Sequence, residues 1–107
     1  MSELTDVIDR LAETIASRRG ADPATSWSAK LIADPRLAAK KLAEEAVEAA
    51  LAAVAGDRPA LIAEAADVVY HLLALLEASN IALDSLTAEL RRREGVSGIE
   101  EKAKREG

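Results

Sequence analysis

A chain of 107 residues has room for one domain with a modest core and not for two. Hydrophobic residues make up 50%, nearly all Ala, Leu, Val and Ile, and 5 Gly with 3 Pro are too few to punctuate a many-stranded β fold. A net charge of −5 argues against a basic nucleic-acid surface, and the absence of Cys excludes disulfides and thiolate zinc sites.

The elements can be read in chain order. Leu4, Val7, Ile8, Leu11 and Ile15 mark one face of a first helix over about residues 3–18, with Ser2 as its cap. Arg18 and Arg19 suit the negative end of that helix, and Gly20 stops it. A connection follows, in which Asp22-Pro23 can open a short helix running through Trp27, Leu31 and Ile32. Asp34-Pro35 is a clear restart, Asp as cap and Pro at the first helical position, for a helix over about 36–55. Gly56 ends it, and Asp57 caps the next, over about 58–79, with Pro59 in its first turn. So short a connection makes these two long helices antiparallel neighbours. Leu83, Leu86 and Leu90 predict a last helix over about 83–93, and composition reads residues 95–107 as a mobile tail. The expected fold is an all-α antiparallel bundle of four to five helices, one domain over residues 1–107. The acidic N-terminus, Met1 to Asp6, has no signal-peptide pattern, and apolar runs such as Leu72 to Leu76 are too short to span a bilayer. A soluble cytoplasmic protein is expected.

Acidic residues carry the chemistry. At ~100° per residue, Lys40, Lys41, Glu44, Glu45 and Glu48 form one stripe, with Glu45 and Glu48 a turn apart. The next helix is more telling. Between Ala60 and Leu76 its titratable groups are Glu64, Asp67, Tyr70 and His71, and everything else is Ala, Leu, Ile or Val. A helix apolar nearly all round belongs in an interior, where carboxylates must be paired or metal-bound. Each helix thus offers two acids at i and i+3, and opposed pairs repel unless a cation sits among them. Oxygen-only ligands select a hard ion, Mg²⁺ or Mn²⁺. The candidate ligands are Glu45, Glu48, Glu64 and Asp67. His71 is a poor ligand for Mg²⁺ and is expected to pair with Asp67 one turn back.

The bland alternative for residues 40–48 is a solvated face, since Lys40–Glu44 and Lys41–Glu45 are i,i+4 pairs. There Lys precedes Glu, the weaker orientation, so helix support is a poor motive. On that alternative the chain is a non-catalytic helical dimerisation module. The apolar surroundings of Glu64 and Asp67 argue against it.

The Glu-Glu-x-x-Glu of Glu44 to Glu48, followed by the Glu-x-x-Asp of Glu64 to Asp67, resembles the signature of the all-α, MazG-like nucleotide pyrophosphohydrolases. Within that superfamily the chain most resembles the phosphoribosyl-ATP pyrophosphohydrolases of histidine biosynthesis. Thr25-Ser26-Trp27-Ser28-Ala29-Lys30-Leu31-Ile32 is similar to that family's Ser-Tyr-Thr-Ala-x-Leu-Leu segment. The Asp67 to Leu73 run is similar to its Asp-Leu-Tyr-His-Leu-Leu, and Ser97 to Ala103 to its Ser-Gly-x-x-Glu-Lys-Ala. Trp27 stands where that family has Tyr, and Ala43 where Gly is usual.

The resemblance implies Mg²⁺-dependent hydrolysis of phosphoribosyl-ATP to the AMP compound and pyrophosphate, in a homodimer with its site near the subunit interface. It implies catalytic roles for Glu44, Glu45, Glu48, Glu64 and Asp67, and substrate contacts from Lys40, Lys41, Trp27, Lys30 and Lys102. Glu44 would orient water or hold a second ion, Trp27 would stack on a purine, and the Lys102 tail would close over the ligand. A housecleaning nucleoside triphosphate pyrophosphohydrolase would keep the acids and differ in the base and sugar pocket. The resemblance also implies that the following step of the pathway uses a cyclohydrolase with Cys and His zinc ligands, which a chain with no Cys and one His is not expected to carry.

Overall fold

The structure, a computed structural model, describes residues 2–106, so Met1 and Gly107 of the sequence reading lie outside it. Helix α1 spans Glu3–Ser17, α2 Trp27–Ala33, α3 Pro35–Val54, α4 Arg58–Ala78, α5 Leu83–Arg92 and α6 Gly98–Glu106. Among the described residues there is no strand. The all-α expectation holds, with one helix more than the upper count.

The caps act where the sequence placed them. Ser2 Oγ accepts from Thr5 N at 3.2 Å, Asp34 Oδ1 from Leu37 N at 3.2 Å and Asp57 Oδ1 from Ala60 N at 3.1 Å. Each satisfies an amide that the first turn leaves without a partner. Gly56 takes φ +71°, a left-handed turn that reverses the chain between α3 and α4. These two helices form the main packed pair, an antiparallel hairpin on which α2 and α1 lie.

Several expectations need correction. Helix α2 does not begin at Asp22-Pro23. The Asp22 carbonyl accepts from Thr25 N and Ser26 N, closing a turn, and Ser26 Oγ caps α2 through Ala29 N at 3.1 Å. Arg19 does not serve its own helix end. It reaches across to α4, where Nε and Nη2 donate to Glu77 Oε2 at 2.9 and 2.7 Å and Nη2 also meets the Glu77 carbonyl. A guanidinium fork engages a carboxylate and a last-turn carbonyl together, so it tethers α1 to the C-terminal end of α4. The segment read as a tail contains α6, whose Glu101 is buried.

Ile15, Leu31, Ile32, Ala38, Leu73 and Ala74 form the core, with Ile8, Leu11, Leu37, Tyr70, Leu75 and Leu83 packed around it. Leu31 is fully buried, and removing such a side chain from water stabilises the fold by about 1.5–3 kcal/mol. This core lies where α1 and α2 cross the C-terminal half of α4. The other half of the hairpin is left uncovered. Val47 (59% exposed), Leu51 (63%) and Val54 (88%) form a stripe on α3, and Ile62 (70%) heads another on α4.

Helix α4 was expected to be buried all round, and in the single chain it is not. Its length of 21 residues and mean hydropathy of 1.5 also suffice for a membrane crossing by those criteria alone, although its individual apolar runs are short. Glu64 and Asp67 interrupt its surface.

Helix α6 is fastened by charge. Glu101 Oε1 accepts from Arg92 Nη2 at 2.8 Å, and Arg92 also holds Glu89 at 2.6 Å. Contact with Arg92 first, and for Glu89 with Arg93 next, lowers both carboxyls, Glu89 from 4.5 to about 2. Folded-state values below the unfolded ones mean that this stabilisation is complete above about pH 4.5 and fades as pH falls below it, for Glu89 towards about 2. Backbone NMR resonances of residues 98–106 should therefore move to coil positions over that window, and Arg92→Ala should produce the same shift at neutral pH. Helical resonances persisting in both cases would show that the ion pairs do not hold α6.

Candidate functional site

Antiparallel pairing about Gly56 sets the register of the site. Glu48 and Glu64 stand at equal distances along the chain on either side of that turn, and so do Glu45 and Asp67. Glu45 and Glu48, one turn apart on α3, therefore face α4 at the level of Glu64. Carboxylate oxygens of Glu45, Glu48 and Glu64 lie within 4.8 Å of one another. Asp67 is not among these three and is exposed one turn further along α4.

Glu64 Oε2 is buried and has no hydrogen-bond partner. Its neighbours are themselves carboxylates, so nothing nearby can donate unless a proton or a cation enters. Contact with Glu45 first, then burial, then Glu48 push the Glu64 carboxyl from 4.5 up to about 7. Such a set of hard oxygen donors around an orphaned oxygen fits Mg²⁺ or Mn²⁺ by its chemistry.

The cationic turn before the cluster is spent largely on one acid. Lys41 Nζ lies 3.1 Å from Glu44 Oε2 and Lys40 Nζ 4.0 Å from its Oε1. Lys41 therefore reaches Glu44 rather than Glu45, and that contact raises the Lys41 ammonium above its usual range. Leaving Glu45 unpaired by lysine keeps its charge directed at Glu64. A shallow groove of about 370 Å³, lined by Ala43, Glu44, Val47 and Glu48, runs from the cluster to the exposed apolar stripe.

A second constellation joins α2 to α4. Trp27 Nε1–H donates to His71 Nε2 at 3.3 Å, and Ser28 Oγ bonds Tyr70 Oη at 2.6 Å. An indole N–H only donates, so His71 Nε2 accepts and the ring proton sits on Nδ1. Nδ1 lies 2.8 Å from the Asp67 backbone carbonyl and donates to it. The expected His71–Asp67 pairing thus runs through the main chain of Asp67 and not its carboxylate. Lys30 Nζ sits 5.8 Å from the indole centroid, within cation–π range. Lys102 is exposed on α6, next to the buried Glu101. The sequence reading missed the Trp27–His71 and Ser28–Tyr70 bonds. Their only sequence signal was that the chain's sole Trp and sole His both fell in segments already singled out.

The architecture and the cluster define an all-α protein that brings three carboxylates together across a helical hairpin. The model of the family described as phosphoribosyl-ATP pyrophosphohydrolase matches residues 8–94. A phosphoribosyl-ATP pyrophosphatase of Caulobacter vibrioides is 59% identical over 102 residues, covering 95% of each chain. One from Paracoccus denitrificans is 61% identical over 99 residues, covering 92% of each. Another, from Methylobacterium radiotolerans, is 60% identical over 96 residues, covering 89% of this chain and 90% of the relative. The chain belongs to the phosphoribosyl-ATP pyrophosphohydrolase family.

Proposed function

We propose that this protein is a soluble, homodimeric, Mg²⁺-dependent hydrolase that converts phosphoribosyl-ATP to phosphoribosyl-AMP and pyrophosphate in histidine biosynthesis. The family membership supports the substrate. The observation that carries the site is the meeting of Glu45, Glu48 and Glu64 around a buried oxygen that lacks a partner.

Glu45, Glu48 and Glu64 would hold Mg²⁺, with Asp67 completing the set from the next turn of α4. When bound, the ion would offset the charge of the triphosphate and draw electron density from the reacting phosphorus. Glu64 must give up its proton to serve, and its elevated pKa places that event near neutrality. Glu44, held by Lys40 and Lys41, would orient the attacking water, which cleaves between the α and β phosphates. Lys40, more exposed than Lys41, is the freer of the two to meet phosphate oxygens. Trp27 would stack on the purine, Lys30 would add charge beside it, and Lys102 would approach from α6. The exposed stripes on α3 and α4 would be covered by a second copy of the chain, which brings the groove beside Glu48 to the subunit boundary.

A substrate panel tests this directly. Pyrophosphate release is expected from phosphoribosyl-ATP with Mg²⁺, and little from ATP or dUTP or after chelation. Equal turnover of ATP or dUTP would favour a housecleaning enzyme. No Mg²⁺-dependent turnover of any of them would favour a non-catalytic module.

A further inference from the structure

Trp27 is 42% exposed, yet its ring is not free to turn. Its N–H is engaged by His71, which is buried at 6% exposure and is itself fixed by the Asp67 carbonyl. The two rings meet edge to face, 6.3 Å between centroids at 76°, so the imidazole does not cover the faces of the indole. Tyr70 packs edge-on against the other side of the imidazole, at 5.0 Å and 89°. Lys30 adds a cation near the indole. The result is a half-exposed aromatic plate of fixed orientation with a positive charge over its ring. Planar, electron-rich heterocycles attached to phosphates match both features.

From this geometry we infer that His71 is a positioning residue: it orients Trp27 as a stacking plate for the purine base of the nucleotide. The inference rests on the nucleotide-hydrolysing function proposed above. His71 touches neither base nor phosphate in this assignment. It removes the rotational freedom that the indole would otherwise lose on binding, which improves affinity without any new contact. The chain from Asp67 carbonyl to imidazole to indole also sets the plate at a fixed distance from the carboxylate cluster. The indole of Trp27 supplies the N–H that this arrangement uses.

The full-length protein tests the assignment through its sole Trp. ATP with Mg²⁺ is titrated while Trp27 fluorescence is followed, in wild type, His71→Phe, His71→Leu and His71→Gln. Phe and Leu remove the acceptor at similar volume; Gln restores one. In wild type, nucleotide should quench the emission. Loss of the acceptor should weaken ATP binding by roughly three- to tenfold, in keeping with one side chain freed, and Gln should recover part of it. On phosphoribosyl-ATP the same variants should raise KM with kcat little changed. The double variant of His71→Phe with Trp27→Phe should be no worse than Trp27→Phe alone. Two acceptor-free variants are included so that one failing to fold, judged by its melting curve, leaves the other to decide. Unchanged ATP affinity in the folded acceptor-free variants, absent quenching in wild type, or additive effects in the double variant would each overturn the assignment. Quenching that depends on His71 in a wild-type protein without turnover would instead sink the proposed reaction and leave the plate standing.

Discussion

Replacing Glu64 with Gln should lower kcat by more than about 100-fold while the helices persist, because groups that merely support a metal ligand already cost 10- to 100-fold when removed. Glu64 is the acid from α4 in the three-carboxylate cluster and owns its buried, unpartnered oxygen. Gln keeps the shape and removes the charge. The linkage to pH can be stated with its sign. A carboxyl raised from 4.5 to about 7 favours its protonated form in the folded, metal-free protein. The associated stability is complete below about pH 4.5 and is lost as pH rises through about 7. A cation replaces the proton, so Mg²⁺ should raise the melting temperature of wild type more at about pH 8 than at about pH 6. Glu64→Gln should be at least as stable as wild type without metal at about pH 8, and should respond weakly to Mg²⁺. Near-normal turnover in the variant, or a Mg²⁺ response independent of both pH and Glu64, would remove the cluster from the reaction.

Placing Glu at both Leu51 and Ile62 should convert a dimer into monomers. These side chains are 63% and 70% exposed in the single chain, Leu51 in the α3 stripe with Val47 and Val54 and Ile62 at the head of the α4 stripe. Exposed apolar stripes of this kind are expected to be covered by a partner. Burying carboxylates there without partners would weaken association by more than about 100-fold, since one such group costs several kcal/mol. Sedimentation velocity at micromolar concentration should show wild type as a dimer and the double variant as a monomer. Activity should fall with dissociation, because the groove beside Glu48 continues into the stripe through Val47. A monomeric, fully active wild type would refute the interface.

Most of the helical plan was legible because its signals are local. Asp34-Pro35 and Asp57-Pro59 combine a side-chain cap with a residue that starts a helix and cannot sit in its interior, so both starts were read within a residue. Asp22-Pro23 carries similar letters and misled. Its carbonyl is taken by Thr25 and Ser26, and Ser26 then offers the better cap. Residues 98–106 were hidden for another reason. Their helix depends on Glu101 meeting Arg92 from the preceding helix, which composition cannot register.

The pairing of Glu45 and Glu48 with Glu64 was also within reach, since i, i+3 spacing on two helices joined by a short turn fixes which faces meet. The exclusion of Asp67 from that cluster was not, because a turn of helix moves a carboxylate by about 5 Å and only packing decides which neighbours it meets. The apolar pattern of α4 overstated its burial: α1, α2 and α3 cover part of it, and the rest is open in the single chain.

By itself, then, the sequence determined the first five helices, the hairpin and the acids that face one another, because each follows from periodicity and capping over a few turns. Tertiary structure alone decided that Arg19 serves α4, that Glu101 fastens α6 and that Trp27 leans on His71. Those contacts join different helices or their ends, and their existence depends on the angles at which whole helices meet.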